Sequence, residues 1–553
     1  MDNRKIVIWG TGKIAERFCA QIQEADICCF VDNNKDRMGK MFHHREIMDP
    51  ERLKGRKEAY FVIIASSYYT DICRQLCSYG YCEWKDFVSY SHVKNLREAY
   101  ETELLENIRR FREKGFYGRV LLFFYLTEYG AKEKGLGAFF EKLHESLQNK
   151  LLFMQETAEL GEEKTRAFLD VPCWGVPRIL GRDHHACQGF YFIRDGRPVR
   201  GEYASEEQIG KITADRELNI LARGLRLKYP QMAESFEYLI TDLAVRYVEE
   251  LIDCAHPKAV ILWNEFYAMH GIICRVCMRK KVPVRYIEFG NIPGTIQFDA
   301  MGQMGESWIA RRPEQFLGQP VGEDDLAEAE RVWKFLYESR LNRKEQPDID
   351  IRTQLGAGLE PGKPVIVYAG QNDFESGIQP YTEKTREFHS PAFCSSNEAA
   401  LYLYGLCRRR GWNFIYKPHP ILIDNGQEFT QFPEGLIILK SGDINVVADM
   451  ADVLVTILST TAYVSLVRGK ATLMLGYTQL RGQGCTYEAF ERDMVEGQLE
   501  RALQYGFCRE QKRAFLRHLA LLNKYYLYRN VGECFPGISY GRELEDFSLS
   551  LVR

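Results

Sequence analysis

The sequence lacks long hydrophobic runs, a strong excess of charge of either sign, and any internal repeat of fixed period. No run of about 18 apolar residues occurs, and the N-terminus enters a strand-like segment without an apolar signal core. The net charge of −3 provides no general field that would attract nucleic acid. We therefore expect a cytoplasmic protein, free or held peripherally at the inner face of the cell membrane, with no nucleic-acid partner.

Metal-ligating patterns are also scarce. Only Cys274 and Cys277 form a CxxC motif, and no second ligand pair follows at a zinc-type spacing. His184 and His185 are adjacent, so in a strand they would point to opposite faces and could not chelate one ion. The sixteen cysteines are scattered, which is typical of free thiols in a reducing compartment. We expect no bound metal.

The length of 553 residues exceeds one hydrophobic core, and roughly 150 residues per domain suggests about three or four domains. Alternating strand-like and helix-like segments predict three α/β units with parallel sheets. The predicted fold class is thus α/β, with a small Rossmann-like N-terminal domain followed by two facing Rossmann-like halves. The predicted parts are 1–95 for the small domain, 96–116 for a connecting helix, 117–312 for the first half, 313–362 for a linker, 363–495 for the second half, and 496–553 for a helical tail that crosses back onto the first half.

The N-terminal segment IWGTGKIAERF carries a dinucleotide-type fingerprint. Gly10 and Gly12 lie between a predicted strand and a predicted helix, and Asp32 follows the next strand about 20 residues later. Glycines let a backbone approach a pyrophosphate, and the acid can hold a ribose hydroxyl. The predicted sheet stops after about three or four strands, so a structural role without NAD stays open beside nucleotide binding.

Two polar motifs lie in the second half, each predicted to follow a buried strand. The segment YKPHP places Lys417 and His419 just beyond a strand, and ILSTTAY places Ser459, Thr460 and Thr461 between a strand and a helix. Ligands bind beyond the carboxyl ends of such strands, where these groups can hold a phosphate. A plain surface turn and simple helix capping are the alternatives.

Two acidic residues in the first half are candidates for the chemistry of group transfer. Glu288 and Asp299 flank the turn GNIPGT after a predicted strand. A carboxylate there can take a proton from an acceptor hydroxyl or stabilise a cationic sugar centre. Binding of turn amides by Asp299 and an ion pair of Glu288 with Arg285 are the structural alternatives.

Read together, these segments resemble the capsule polysaccharide biosynthesis family, which includes transferases of 3-deoxy-manno-octulosonic acid from a CMP-linked donor. The agreement spans roughly residues 255 to 490. Its segments, in chain order, are WNEF with E-x-G-x-x-P-G-T and D-x-x-G, the loop QND, the HP motif, and the S-T-T helix with R-G-K-A-T-L-x-L-G and RGQGCTYE.

The resemblance implies a metal-independent glycosyltransferase of GT-B type that needs no cofactor. The first half would then bind a polysaccharide or glycolipid acceptor, and the second half would bind the nucleotide sugar. His419 and the three hydroxyl residues would meet the nucleotide phosphate, and Gln371 and Asp373 would line the cleft, with Asp373 as a further catalytic candidate. A CDP-glycerol glycerophosphotransferase, an NAD-dependent oxidoreductase and a non-catalytic assembly protein remain as alternatives.

Overall fold

The computed structural model describes residues 3–20, 27–93, 96–156, 161–177, 180, 191–194, 197–200, 204–230, 232, 235–341, 351, 355, 358–424, 432–532 and 540–547. Its strands are β1 (Lys5–Trp9), β2 (Ile27–Val31), β3 (Met41–Phe42), β4 (Arg45–Met48), β5 (Tyr60–Ile64), β6 (Phe87–Ser89), β7 (Val120–Phe124), β8 (Leu151–Gln155), β9 (Cys173–Gly175), β10 (Tyr191–Arg194), β11 (Arg197–Arg200), β12 (Ala259–Trp263), β13 (Val284–Phe289), β14 (Thr295–Asp299), β15 (Val365–Ala369), β16 (Asn413–Lys417), β17 (Ile437–Ile438), β18 (Val453–Thr456), β19 (Ala471–Met474), β20 (Tyr487–Glu488) and β21 (Leu527–Arg529). Its α-helices are α1 (Lys13–Cys19), α2 (Tyr69–Ser78), α3 (Leu96–Lys114), α4 (Glu128–Lys132), α5 (Leu136–Ser146), α6 (Gly161–Arg166), α7 (Glu206–Ala214), α8 (Arg216–Lys228), α9 (Phe236–Ala255), α10 (Ala268–Lys280), α11 (Trp308–Arg311), α12 (Pro313–Leu317), α13 (Glu323–Ser339), α14 (Glu383–Phe388), α15 (Ser396–Arg410), α16 (Pro420–Asp424), α17 (Ile444–Met450), α18 (Thr461–Val467), α19 (Arg492–Tyr505) and α20 (Arg509–Leu521).

The chain divides into two compact units, Met1–Gly115 with Val176–Cys254, and Phe116–Gly175 with Ala255–Arg553. The first unit holds a six-stranded sheet of order β3-β4-β2-β1-β5-β6, which is parallel except at β3. It has more strands than the three or four expected. The extra strands are short and lie among turn residues, so their sequence favours a loop over a strand.

Segment 176–254, predicted as part of the first half, belongs to the first unit instead. Contacts between α3 and α9 contribute to this arrangement. The Tyr247 hydroxyl donates a buried hydrogen bond to Asn107 Oδ1 at 2.8 Å, and Arg246 forms an ion pair with Glu101 at 3.3 Å. These contacts join residues far apart in sequence, which strand and helix periodicity does not reveal.

The second unit contains two sheets. The first has the order β21-β14-β13-β12-β7-β8-β9, and its strands from β13 to β9 are parallel. Strands β7, β8 and β12 are buried along their full length, as in parallel sheets covered on both faces. Strand β21 lies in the tail and pairs with β14, so the tail does return to the first half.

The second sheet of this unit has the order β17-β16-β15-β18-β19-β20 and is parallel throughout. Its strands therefore end at one common edge, where Lys417 closes β16 and Thr456 closes β18. Together with the six-stranded sheet of the first unit, the two sheets of this unit confirm the predicted α/β, Rossmann-like fold class. The site described below lies at the common edge marked by Lys417 and Thr456.

The predicted linker 313–362 differs from expectation because its first part folds as packed helices, α12 and α13. Helix α13 buries Ala329, Val332 and Leu336, which share one face, while charged residues occupy the other. The high content of charge in this segment thus marks the outer face of an amphipathic helix. None of the helices in the described ranges is both long and apolar enough to cross a membrane.

Candidate functional site

A cavity of about 240 Å³ opens at the carboxyl edge of the second sheet in the second unit. It is lined by all five phosphate-binding candidates of the HP and S-T-T motifs: Lys417, His419, Ser459, Thr460 and Thr461. The parallel strand ends bring the two motifs together although about 40 residues separate them. The structure thus assembles the predicted group of residues, whereas phosphate binding itself stays a prediction.

Lys417 is the cationic group of this cavity and is only 4% exposed. Its Nζ atom makes no hydrogen bond with any of the residues that the structure describes. Burial lowers the pKa of Lys417 to about 8, and the Asp443 carboxylate opposes that fall. The side chain is therefore mostly protonated at neutral pH, and a buried ammonium without a hydrogen-bond acceptor favours the entry of an anion.

His419 begins the turn into α16 and is half-buried at the cavity wall. The Ile421 amide donates a hydrogen bond to its Nδ1 at 3.3 Å. A neutral ring therefore carries its proton on Nε2. In this tautomer the imidazole can act as a hydrogen-bond donor toward an anionic oxygen.

The hydroxyl motif is only partly explained by helix capping. Thr460 is the N-cap residue of α18, but its side chain makes no capping hydrogen bond. Ser459 and Thr461 instead share a hydrogen bond of 2.6 Å between their hydroxyls, and the Thr461 amide donates to Ser459 Oγ at 3.3 Å. Capping thus leaves the Thr460 hydroxyl available to a ligand.

Gln371 lies behind the cavity and does not line it. Its side chain is buried, and its Oε1 accepts the Leu458 amide at 3.2 Å and the Thr456 hydroxyl at 3.5 Å. These bonds hold the turn that carries Ser459. The structure therefore places Gln371 as a support for the hydroxyl motif.

The first half also contributes to the cavity wall, through Asn291 and Pro293 after β13. Asn291 Nδ2 donates to the Tyr463 hydroxyl at 3.0 Å, and that hydroxyl lies 2.9 Å from His518 Nε2. His518 Nδ1 lies 3.1 Å from Gln483 Oε1, so it carries the ring proton, and Nε2 accepts from Tyr463. Burial lowers the pKa of His518 to about 3, which keeps this buried network neutral.

The three carboxylates predicted for catalysis lie elsewhere and do not line the cavity. Asp299 accepts four hydrogen bonds, from the amides of Met301, Gly302 and Trp308 and from the Tyr526 hydroxyl. Its contacts match the structural alternative, in which it fixes the turn after β14. Burial nevertheless raises the pKa of Asp299 to about 7.

Glu288 and Asp373 also accept hydrogen bonds from neighbouring groups. Glu288 is half-buried on β13, and its Oε2 accepts from Gln303 Nε2 at 3.2 Å and Gln297 Nε2 at 3.4 Å. Asp373 accepts the Ser396 amide at 3.0 Å at the start of α15, and burial raises its pKa to about 7. The catalytic role of all three carboxylates stays a prediction.

A charged cluster that the sequence did not reveal joins the two halves of the second unit, with Glu306 and His389 buried and Lys384 exposed. Glu306 accepts from His389 Nε2 at 3.0 Å and from Lys384 Nζ at 2.7 Å. Burial and the Glu306 carboxylate raise the pKa of the neighbouring Glu265 well above its ordinary value. Glu265 follows β12 in the WNEF segment, and that position at a strand end is the only signal that could have marked it.

The N-terminal fingerprint is held by its own side chains. The Thr11 hydroxyl donates to Asp32, and Arg37 NH1 donates to the Thr11 carbonyl and hydroxyl, both at 2.8 Å. Gly10 has φ +124°, and a Cβ atom there would lie 2.4 Å from the Ala65 carbonyl oxygen. Close packing alone thus explains Gly10, while Gly12 begins α1 without a side-chain cap. Nucleotide binding by Gly10, Gly12 and Asp32 stays a prediction.

Within the described ranges, no group of three or more His, Cys, Asp or Glu side chains is arranged to hold a metal ion. Cys274 Sγ lies 3.1 Å from the Tyr286 hydroxyl, and Cys277 is buried. Burial raises the pKa of the Cys277 thiol to about 12, so it is protonated at neutral pH and is a poor ligand. His184 and His185 lie outside the described residues.

Comparison with known proteins adds a match at the N-terminus and distant likenesses in the fold. Residues 2–86 match the family model C2185-like, N-terminal, and no curated protein matches the chain. The β Kdo 2,7 transferase KpsC of Thermosulfurimonas dismutans is 18% identical, with 51% of this chain and 81% of that chain covered and a TM-score of 0.33. The corresponding values for the β Kdo 2,4 transferase KpsC of the same organism are 14%, 51%, 84% and 0.37.

A third solved structure similar to this chain is the UDP-GlcNAc 2-epimerase of Methanocaldococcus jannaschii, which is 9% identical. The match covers 73% of this chain and 98% of that chain, with a TM-score of 0.29. Likeness at this level carries no conclusion about activity, so the function has to be inferred from the chain's own side chains.

Proposed function

We propose that this chain is a glycosyltransferase that binds the phosphate of a nucleotide-sugar donor in the cavity at Lys417. The donor is a CMP-linked sugar, and the acceptor is a growing surface or capsular polysaccharide or a glycolipid. The reaction takes place in the cytoplasm, free or at the inner face of the membrane. The motifs shared with the capsule polysaccharide biosynthesis family support the choice of donor and acceptor.

The observation that carries this proposal is the buried Lys417 ammonium, which has no hydrogen-bond acceptor among the described residues. Burying an unpaired charge is unfavourable in a protein made only for stability. A phosphate in the cavity supplies the missing acceptor and opposite charge. The hydroxyls of Ser459 and Thr460 and the His419 ring, all at the same wall, can donate further hydrogen bonds to it.

The chemistry of transfer follows from this placement. As the bond between the anomeric carbon and the phosphate oxygen breaks, its electron pair leaves with the phosphate, and Lys417 and His419 stabilise the added negative charge. The acceptor hydroxyl oxygen forms the new bond to the anomeric carbon, and its proton passes to a carboxylate of the first half. A metal ion is not required, because side chains of the cavity offset the phosphate charge.

Nucleotide binding tests this proposal directly. Titration calorimetry and thermal shift with CMP, CDP, UDP, GDP, NAD and inorganic phosphate should rank the cytidine nucleotides first, because a ligand of the folded state raises its stability. Stabilisation by NAD alone would contradict the proposal and favour an oxidoreductase. Asp32→Ala is the matched variant for that alternative, since residues 1–95 share a compact unit with 176–254 and cannot be removed cleanly.

A further inference from the structure

The cavity has a polar end and an apolar end, separated along α18. Thr461 begins this helix and Val467 ends it, so the two line the cavity about 9 Å apart along the axis. Helix α13 covers the far end, because Trp333 Nε1 donates to the Val467 carbonyl at 3.1 Å. The phosphate-binding candidates therefore lie at one end and the contact with α13 at the other.

The far end is mainly apolar. Its apolar lining residues are Leu336 of α13, Leu341 just after that helix, Ile444 of α17, and Val464 and Val467 of α18. An apolar surface beyond a phosphate site is the kind of surface against which a nucleobase ring packs. A base in this position would meet few polar groups, so each of them has a large effect on which base is accepted.

Asn445 is the polar side chain at this end. It is 2% exposed and lines the cavity beside Ile444. Its Nδ2 donates to the Arg340 carbonyl at 2.9 Å and to Asp443 Oδ1 at 3.1 Å. Arg340 is the C-cap residue of α13, which places Asn445 at the end of the cavity away from Thr461.

The two acceptors fix the orientation of the Asn445 carboxamide. Reversing it would put the side-chain carbonyl against the Arg340 and Asp443 oxygens. The Oδ1 atom accepts no hydrogen bond from the described residues. Protein atoms do not enclose it completely, so a ligand can reach it. It therefore faces the cavity as a fixed acceptor.

We propose that Asn445 selects cytosine over uracil by accepting a hydrogen bond from the exocyclic amino group of the base. This inference rests on the proposed function, which puts a nucleotide in this cavity. Cytosine presents an amino donor where uracil presents a carbonyl oxygen. With uracil, two carbonyl oxygens would face each other, and the buried acceptor would stay unsatisfied.

Competing titrations of the full chain with CMP and UMP test this assignment. The wild-type protein should bind CMP roughly tenfold or more tightly than UMP, because a site built around one hydrogen bond rejects the ligand that lacks it. In Asn445→Ala the two affinities should agree within about twofold. Ile444→Ala is the matched control, since loss of an apolar contact weakens both ligands and leaves their ratio unchanged.

The outcomes separate this inference from the proposed function. Equal binding of CMP and UMP to the wild-type protein would overturn the role of Asn445 and leave the phosphate site standing, and this comparison needs no variant to fold. AMP binding as tightly as CMP would overturn the choice of cytosine. Failure of CMP, UMP and inorganic phosphate alike to bind would instead overturn the proposed function.

Discussion

Replacing Lys417 with methionine should weaken ligand binding and stabilise the free protein at the same time. Burial lowers the pKa of this lysine from 10.5 to about 8, which corresponds to roughly 3 kcal/mol of unfavourable free energy at neutral pH. Methionine fills a similar volume without a charge, so the ligand-free variant should unfold at a higher denaturant concentration. Loss of a charge-assisted hydrogen bond should weaken CMP binding by about 1.5–3 kcal/mol, roughly 10- to 150-fold.

The pH dependence gives the sharpest form of this prediction. Below pH 8 the lysine is mostly protonated in the free protein. Above pH 8 the affinity for CMP should follow the protonated fraction and fall about 25-fold between pH 7.5 and 9.5. The stability of the wild-type protein should change in the opposite direction and rise as Lys417 loses its proton. Because the folded-state pKa is depressed, the gain from Lys417→Met should be full below pH 8 and vanish as the pH rises to 10.5.

Calorimetry with CMP and chemical unfolding across this pH range measure both effects. Lys440→Met, which removes an exposed lysine of the same half, should leave the affinity and its pH profile unchanged. A wild-type affinity that is flat from pH 7.5 to 9.5 would refute the assignment of Lys417 to the phosphate. Wild-type affinity in Lys417→Met would refute it equally.

Three further predictions concern other residues of the second unit. Glu288→Gln should lower turnover by about 100-fold or more without loss of nucleotide affinity, which steady-state kinetics measure. Asp299→Asn should instead lower the free energy of unfolding by about 1–3 kcal/mol, because it disturbs four hydrogen bonds, and denaturant unfolding measures this loss. His419→Ala and Thr460→Ala should weaken CMP binding non-additively in a double-mutant cycle, since both contact one phosphate, and strict additivity would place them in separate sites. His518→Gln should flatten the loss of stability that the wild-type protein shows as the pH falls from 6.5 towards 3, because the folded-state pKa of this histidine is depressed to about 3.

The phosphate-binding candidates could be found from sequence because their positions follow from local rules. A buried strand that ends in Lys417 and another that is followed by Ser459 must end at the same edge if both strands are parallel. Strand-like runs are easily recognised, and the residues just beyond them are then known. Which of these residues also support the turn from behind, as Gln371 does, depends on side-chain packing that no spacing encodes.

The catalytic candidates show where such rules stop. A carboxylate after a strand satisfies the same pattern whether it fixes amides, as Asp299 does, or faces a cleft. The Glu306 cluster was missed for a related reason, because its partners Lys384 and His389 come from the other half and are about 80 residues away. Only the tertiary structure brings such charges together.

Asn445 illustrates the same limit for specificity and explains why the segment 313–341 matters. An asparagine near the start of a helix is ordinarily interpreted as a capping or turn residue, and its amide does donate to Asp443 in that way. Its second anchor is the Arg340 carbonyl, which ends a helix that the charged sequence suggested was a linker. Since that carbonyl fixes which face of the carboxamide meets the cavity, the choice of base would depend on how α13 packs. Substitutions in α13 that shift Arg340, far from any motif, should therefore change the ratio of CMP to UMP affinity before they change the affinity for inorganic phosphate.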